Sequence, residues 1–192
     1  MAWIKAGSTT LTVAGDNIPV TPTNSVFYQV LFHTINSNTN TIDHSWRLSS
    51  DADPDYSQRR SIDGGADGTL VSQTDIEAGT NHVSPSFGVG YWCNIATDEK
   101  LFMGMEVSQN TAGAGNSPNR WEGVGKYVSG NNIISKFDLR DNQSGSYDTD
   151  SNVSVLGSDG VASNVQDGAV YYETDTNKSY VLSSNVWSEL WP

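Results

Sequence analysis

Hydrophobic and polar positions alternate along most of the chain in short stretches that are separated by clusters of turn-forming residues. The stretches are rich in β-branched and aromatic side chains. Stretches of this kind at near-regular spacing predict the strands of a sandwich or barrel. The one helix candidate is a turn near Ser72–Ala78, with Ser72 as its N-terminal cap. Strands are predicted at residues 8–13, 26–35, 45–48, 86–94, 101–107, 133–139, 153–156, 169–173, 178–182 and 186–190.

Two predicted strands carry apolar residues on both faces. They cover residues 26–35 and 101–105. A strand with a continuous apolar run is normally covered on both sides. Residues 26–35 are therefore predicted to form a central strand or to contribute to a subunit interface. Gly88, Gly90 and Gly104 within strand-like segments indicate bulges or a close approach of backbone.

The chain divides into a main domain and a C-terminal appendage. Residues 1–158 are predicted to form a jelly-roll-like antiparallel β-sandwich, and residues 159–192 a linker followed by a β-hairpin or meander. A meander of about 25 residues is marginally stable by itself. Its aromatic residues therefore need a surface, which is either the main domain or a neighbouring subunit.

Composition and charge disfavour several classes of protein. The chain has 192 residues and a net charge of −12, from 22 acidic and 10 basic residues. An anionic surface repels nucleic acid and anionic lipid, and no apolar run approaches the ~18 residues of a membrane span. The N-terminus shows no signal peptide, and Cys93 is the single cysteine. We therefore expect synthesis in a cytoplasm, no nucleic-acid partner and no membrane insertion.

Motifs for metal binding and catalysis are sparse. Asp51, Asp53 and Asp55 alternate as calcium-binding carboxylates do, but an EF-hand loop needs Gly and Glu where this chain has Tyr56 and Ile62. A calcium site near the three aspartates stands as an alternative to solvated turn carboxylates, and no other cofactor is predicted. The chain has no zinc motif and no nucleophile elbow. We expect a protein that is not an enzyme, and the scattered carboxylates leave a glycoside hydrolase as the alternative.

Charged residues accompany two glycine-rich segments. In the segment NTAGAGNSPNRWEGVGK, the side chains of Arg120, Glu122 and Lys126 share one face if the backbone is extended, and can then form an ion-pair ladder. Arg59 and Arg60 precede a second glycine-rich turn. These five side chains are predicted either to pin long loops within the molecule or to pair across subunits.

Aromatic residues offer two interpretations. They either fill the core and the contacts between protomers, or stand on the surface and stack on sugar rings. The core interpretation is the stronger one for Trp46, Trp92 and Trp121. The candidates are Trp46, Trp92, Trp121, Tyr171, Tyr180 and Trp187.

Several motifs resemble those of β-rich virion structural proteins of marine bacteriophages and archaeal viruses. In the main domain the likeness lies in residues 59–67 (RRSIDGGAD), 99–104 (EKLFMG) and 110–126. Residues 167–180 (DGAVYYETDTNKSY), followed by Trp187, resemble hairpin modules of phage virion and fibre proteins.

The resemblance, which extends over residues 3–190, implies a virion component with a jelly-roll-like sandwich and no cofactor. We accordingly expect a surface capsid-decoration, fibre or spike protein, located in the virion after synthesis in the host cytoplasm. Its expected partners are further copies of itself in a homo-oligomer, a trimer among the candidates, other virion proteins, and a host-surface glycan or receptor. The alternative function is a carbohydrate-binding module or receptor-binding domain that uses surface aromatics.

Overall fold

The computed structural model describes residues 3–37, 39–79, 83, 85–128, 132–159, 168–184 and 186–190, and every regular element in these residues is a strand. All of the strand pairs are antiparallel, so the predicted all-β class is confirmed. The strands are β1 (Ile4–Thr10), β2 (Asn17–Val20), β3 (Phe27–Thr34), β4 (His44–Leu48), β5 (Tyr56–Ile62), β6 (Gly68–Gln73), β7 (Ile76–Glu77), β8 (Ser86–Cys93), β9 (Lys100–Ser108), β10 (Asn119–Tyr127), β11 (Phe137–Asp141), β12 (Asn152–Ser158), β13 (Val170–Glu173), β14 (Lys178–Ser183) and β15 (Val186–Glu189).

Strands β1 to β12 form a large and a small sheet. The large sheet has eight strands in the order β1-β12-β3-β8-β9-β10-β5-β6, and the small sheet has four in the order β2-β11-β4-β7. Side chains from both sheets meet in one hydrophobic core. The predicted antiparallel β-sandwich is therefore confirmed.

Eight of these strands pair in a nested order along the chain. β1 pairs with β12, β2 with β11, β3 with β8, and β4 with β7. Successive nested pairs alternate between the large and the small sheet. The four remaining strands, β9, β10, β5 and β6, widen the large sheet beyond β8 and give it an extended outer face.

Aromatic rings fill the space between the sheets. Phe137 of the small sheet packs edge-on against Tyr28, with 5.3 Å between ring centroids, and lies 5.9 Å from Trp92. Phe32 packs edge-on against Trp46 at 5.7 Å. Full burial of one large apolar side chain is worth about 1.5–3 kcal/mol, so these contacts between the sheets contribute substantially to the stability of the fold.

Glycines on the inner face of the large sheet leave room for these rings. A Cβ at Gly88 would lie 2.1 Å from the Phe32 ring, and a Cβ at Gly104 would lie 2.5 Å from the Phe102 ring. The pairing of β8 with β3 and β9 runs through Gly88 and Gly90 without a register shift. The close approach at these positions is therefore that of a ring to the backbone, and there is no bulge.

The structure departs from the sequence-based prediction in several elements. Strands β2, β5, β6, β7 and β10 were not among the predicted strands, and β11 begins later than predicted. The prediction of a helical turn near Ser72 is wrong, because β6 continues through this residue to Gln73. Ser72 has a φ of 52°, in the left-handed region.

The predicted C-terminal meander is present as a separate three-stranded sheet in the order β13-β14-β15. Tyr171 pairs with Tyr180 across the first two strands, and Leu182 pairs with Trp187 across the last two. Most of the predicted linker, residues 160–167, lies outside the described residues.

Candidate interaction surface

The outer face of the large sheet carries apolar side chains where a solvated sheet would carry polar ones. Strand β9 alternates strictly between buried and exposed positions. Its outward side chains are all apolar, and Leu101, Met103, Met105 and Val107 are 40–57% exposed. An antiparallel sheet with one solvated face normally carries polar residues on that face, so β9 is unusual in having an apolar outer side.

The apolar surface continues onto the neighbouring strands. Met103 lies between Tyr91 of β8 and Val124 of β10, and Met105 pairs with Val89 of β8. We call this surface the outer-face patch. It comprises Leu31, Phe87, Val89, Tyr91, Leu101, Met103, Met105, Val107 and Val124.

The area of the outer-face patch lies at the upper end of the range found on monomers. Seven of its side chains are 40–57% exposed, and at about 150–250 Å² for a large side chain they present on the order of 600 Å² of apolar surface. The largest patch of a typical monomer covers about 300–600 Å², and one partner of a standard protein interface buries about 800 Å². A shallow hollow of about 430 Å³ at Tyr91, Met103 and Val124 gives the patch relief.

Charged side chains border the patch on the β10 side. Arg120 lies 3.5 Å from the Glu122 carboxylate, and Lys126 lies 2.8 Å from that of Glu99. All four are exposed, and exposed ion pairs contribute only about 0–1 kcal/mol each. Arg59 also faces outward, in register with Val124. Arg59, Arg120, Glu122 and Lys126 thus lie next to the outer-face patch.

Arg60 has a different environment from Arg59. It forms an ion pair with Glu77 of β7, which connects the two sheets. Burial raises the pKa of the Glu77 carboxyl, and the nearby Arg60 charge opposes that shift. Arg60 is therefore the one of the five charged candidates that contributes to the contact between the sheets.

The turn after β5 is pinned to β10 through backbone groups. The Asp63 carboxylate accepts a hydrogen bond from the backbone N–H of Arg120 at 2.7 Å, and the Asp63 N–H donates to the Arg120 carbonyl at 2.8 Å. Asp63 and Gly64 both have positive φ angles, of 51° and 75°. Asp63 and main-chain groups therefore hold this loop. The sequence had led us to expect charged side chains in that role.

Three tryptophans of the sandwich lie in the core, whereas Trp3 is 37% exposed. Trp46, Trp92 and Trp121 are at most 2% exposed. A sugar ring needs an exposed ring face to stack on, so these three side chains offer no platform in this conformation.

The aromatics of the meander are exposed instead. Tyr171 lies 6.2 Å from Tyr180 and 6.0 Å from Trp187, measured between ring centroids. Tyr171 and Trp187 are 51% and 42% exposed. The three rings and the Glu173 side chain line a hollow of about 360 Å³ on one face of the meander.

The aspartates that suggested calcium have other partners in the structure. Asp51 accepts hydrogen bonds from the Asp53 N–H at 2.9 Å and from the Tyr127 hydroxyl at 2.8 Å. Burial and the neighbouring Asp51 raise the pKa of Tyr127. No group of three or more His, Cys, Asp or Glu side chains in the described part of the chain is placed to hold a metal ion.

A buried polar cluster joins β3, β4 and β8. The His44 Nε2 lies 3.0 Å from the Thr34 hydroxyl and 3.1 Å from that of Ser86. The Tyr147 hydroxyl lies 3.4 Å from the His44 Nδ1. All four residues are at most 2% exposed, so this cluster cross-links the two sheets and has no surface for a ligand.

Comparison with known proteins adds no relative. No family model matches the chain, and neither the curated proteins nor the solved structures contain a match. In the described residues, no helix is long and apolar enough to cross a membrane.

Sequence reasoning identified part of the outer-face patch. It singled out residues 101–105 as apolar on both faces, and placed residues 26–35 in a central strand or an interface. It did not identify Phe87, Tyr91 or Val124 as surface residues. Their strands are interrupted by glycines, which hide the alternation that assigns these side chains to the outer face.

Proposed function

We propose that the chain is a non-enzymatic virion structural protein that assembles into a homo-oligomer, as a surface capsid-decoration protein or a fibre or spike component. The observation that carries the proposal is the outer-face patch. It presents on the order of 600 Å² of apolar surface around Met103, which is costly to leave in water at about 25 cal/mol per Å². A second copy of this chain is its proposed occupant.

The size and the border of the patch support a contact between copies. Its apolar area approaches the buried area of one partner in a standard interface, and both acidic and basic side chains stand along the β10 border. Oligomers of identical chains form by repeated use of the same surfaces. A mixed-charge border can match itself or a polar rim on a neighbour, with Glu122 opposite Arg59 or Lys126.

The strand order supports a jelly-roll assignment for the sandwich. In a jelly roll, strands wrap between two sheets in Greek keys, and viral capsid domains commonly use this architecture. The nested pairing of β1 with β12 through β4 with β7 agrees with such wrapping. Fold alone does not define function, so the strand order agrees with the sequence resemblance and is secondary to the patch.

The virion role is tested by the composition of purified particles. Particles from cells that produce this chain are separated on a density gradient, and its peptides are quantified against the major capsid protein and an abundant host cytoplasmic protein. We expect the chain to co-migrate with the particles in many copies and to resist a salt wash. A chain that remains in the lysate, at the particle level of the host protein, would overturn the proposal.

A further inference from the structure

The meander presents an aromatic shelf, which we define as Tyr171, Tyr180 and Trp187 with the carboxylates of Glu173 and Glu189. Tyr171 and Tyr180 are neighbours across β13 and β14, and Glu189 pairs with Tyr180 from β15. Side chains of paired residues lie on the same face of a sheet. The shelf is therefore built by the strand register, and all three strands contribute to it.

The ring geometry leaves apolar surface open to a flat ligand. The planes of Tyr171 and Tyr180 are inclined by 30°, whereas Tyr171 and Trp187 meet at 64°. The rings thus form a floor and a wall around the hollow of about 360 Å³. Small-molecule sites commonly combine such aromatic walls with a few polar groups, and begin at about 300 Å³.

Carboxylates stand at the edge of the rings. Glu173 lines the hollow itself and accepts a hydrogen bond from the Thr176 hydroxyl. Glu189 is held by Lys178, whose Nζ lies 2.9 Å from the Glu189 Oε2. A carboxylate has several acceptor positions, so the hydrogen bonds that Glu173 already accepts leave others for ligand hydroxyl groups.

We propose that the aromatic shelf binds a neutral oligosaccharide. Sugar rings have an apolar face of C–H groups and a rim of hydroxyl donors, which match an aromatic floor with carboxylates beside it. The charge around the shelf favours a neutral sugar over an acidic one. Three acidic residues lie in this part of the meander against one basic residue, and they are Glu173, Asp175 and Glu189 against Lys178. The whole chain also has a net charge of −12. Sialylated, sulfated or phosphorylated glycans are repelled. This site is independent of the virion role.

The opposite face of the meander supplies a matched control. Tyr172 is 52% exposed, as Tyr171 is at 51%, and it follows Tyr171 directly on β13. Successive side chains of a strand point to opposite faces. Replacement of either tyrosine removes a ring of the same size and exposure, but only Tyr171 belongs to the aromatic shelf.

The test is binding of the full-length chain to a printed array of neutral hexose and N-acetylhexosamine oligosaccharides, with sialylated and sulfated members included. Affinity for the best neutral ligand is then measured by titration. We expect Tyr171→Ala and Trp187→Ala each to weaken it at least about fivefold, the scale of one aromatic contact. Tyr172→Ala is expected to bind within about twofold of the parent chain, and Trp187→Tyr to restore part of the loss.

Three binding results would overturn the saccharide site. One is an absence of binding to every neutral glycan on the array, and another is binding confined to acidic glycans. The third is an equal loss in Tyr171→Ala and Tyr172→Ala. The mass of each variant in solution is measured in parallel, because a shelf variant that changes the oligomer and leaves glycan binding intact assigns the shelf to a protein contact and also contradicts the proposal.

Discussion

At the scale of single residues, buried polar groups hold loops whose positions the apolar pattern does not determine. Lys100 is fully buried at the start of β9, and its Nζ donates hydrogen bonds to the carbonyls of Ile95, at 2.7 Å, and of Asp98. Burial lowers the pKa of Lys100. One side chain thus fixes the turn between β8 and β9, which carry most of the outer-face patch.

Replacement of Lys100 by Met tests this interaction. The change keeps most of the buried alkyl chain and leaves two carbonyls without their donor, so we expect a loss of about 1–3 kcal/mol in the free energy of unfolding. Urea denaturation measures it. Lys5→Met, at an exposed position of β1, serves as the control and is expected within about 0.5 kcal/mol of the parent chain. Equal stability of the two variants would show that the Lys100 hydrogen bonds do not hold the turn.

Asp141 gives the stability a predictable dependence on pH. Its Oδ1 accepts hydrogen bonds from the N–H groups of Asp43 and Gln143, but burial raises its pKa above the ordinary value near 3.8. The folded chain therefore holds the proton more tightly than the unfolded chain does. The contribution of this group to stability is greatest below pH 3.8 and declines as the pH rises through the raised pKa.

Asp141→Asn removes this titration and keeps an acceptor for both N–H groups. Relative to the parent chain, we expect the variant to gain stability as the pH rises from about 4 through the raised pKa of Asp141, and to gain no more above it. Urea midpoints at several pH values measure the difference. A difference that stays constant over that range would contradict the assignment of the pH dependence to Asp141.

At the scale of elements, strand glycines and aromatic rings act as pairs. Gly88 lies under the Phe32 ring, and a Cβ there would approach the ring to 2.1 Å. Extra atoms in a packed core typically cost about 1–3 kcal/mol. We expect Gly88→Ala to lower the free energy of unfolding by that amount in urea. Gly115→Ala is the control, because a Cβ added at Gly115 would meet no atom within 4 Å apart from those of its chain neighbours. A similar loss in both variants would disprove the ring contact.

The same glycine and ring pairs explain which elements the sequence could predict. Strands with alternating or continuous apolar residues, such as β3, β8 and β9, were found close to their true bounds. Strand β10 was not, because Gly123 and Gly125 occupy inner positions where its pattern should show apolar side chains. Strand β5 was missed because its arginines interrupt the alternation of apolar and polar residues. Arg60 points inward, where it forms an ion pair with Glu77. Such partners are distant in sequence, so a local pattern does not reveal them.

At the scale of the whole molecule, the two sheets differ in size, because the large sheet has eight strands and the small sheet has four. The four added strands extend the large sheet, and β9 and β10 of these, together with β3 and β8, carry the outer-face patch. The sequence indicated an interface through its doubly apolar stretch at residues 101–105. It could not give the extent of the patch, because that depends on the register that aligns Tyr91, Met103 and Val124.

A charge at the centre of the patch tests whether this surface joins protomers. Met103→Arg places a guanidinium among apolar side chains, and its burial in an interface without a partner is costly. Val13→Arg is the control, because Val13 is 74% exposed and lies outside the strands. We expect Met103→Arg to dissociate the assembly without loss of secondary structure, and Val13→Arg to leave it intact.

Sedimentation equilibrium of the full-length chain at micromolar concentrations measures the central claim most directly. The parent chain and Val13→Arg should sediment as a discrete multiple of 20.7 kDa, and Met103→Arg should sediment as the single chain. A parent chain of 20.7 kDa at every concentration, or an oligomer that Met103→Arg leaves unchanged, would contradict the assignment of the outer-face patch to assembly.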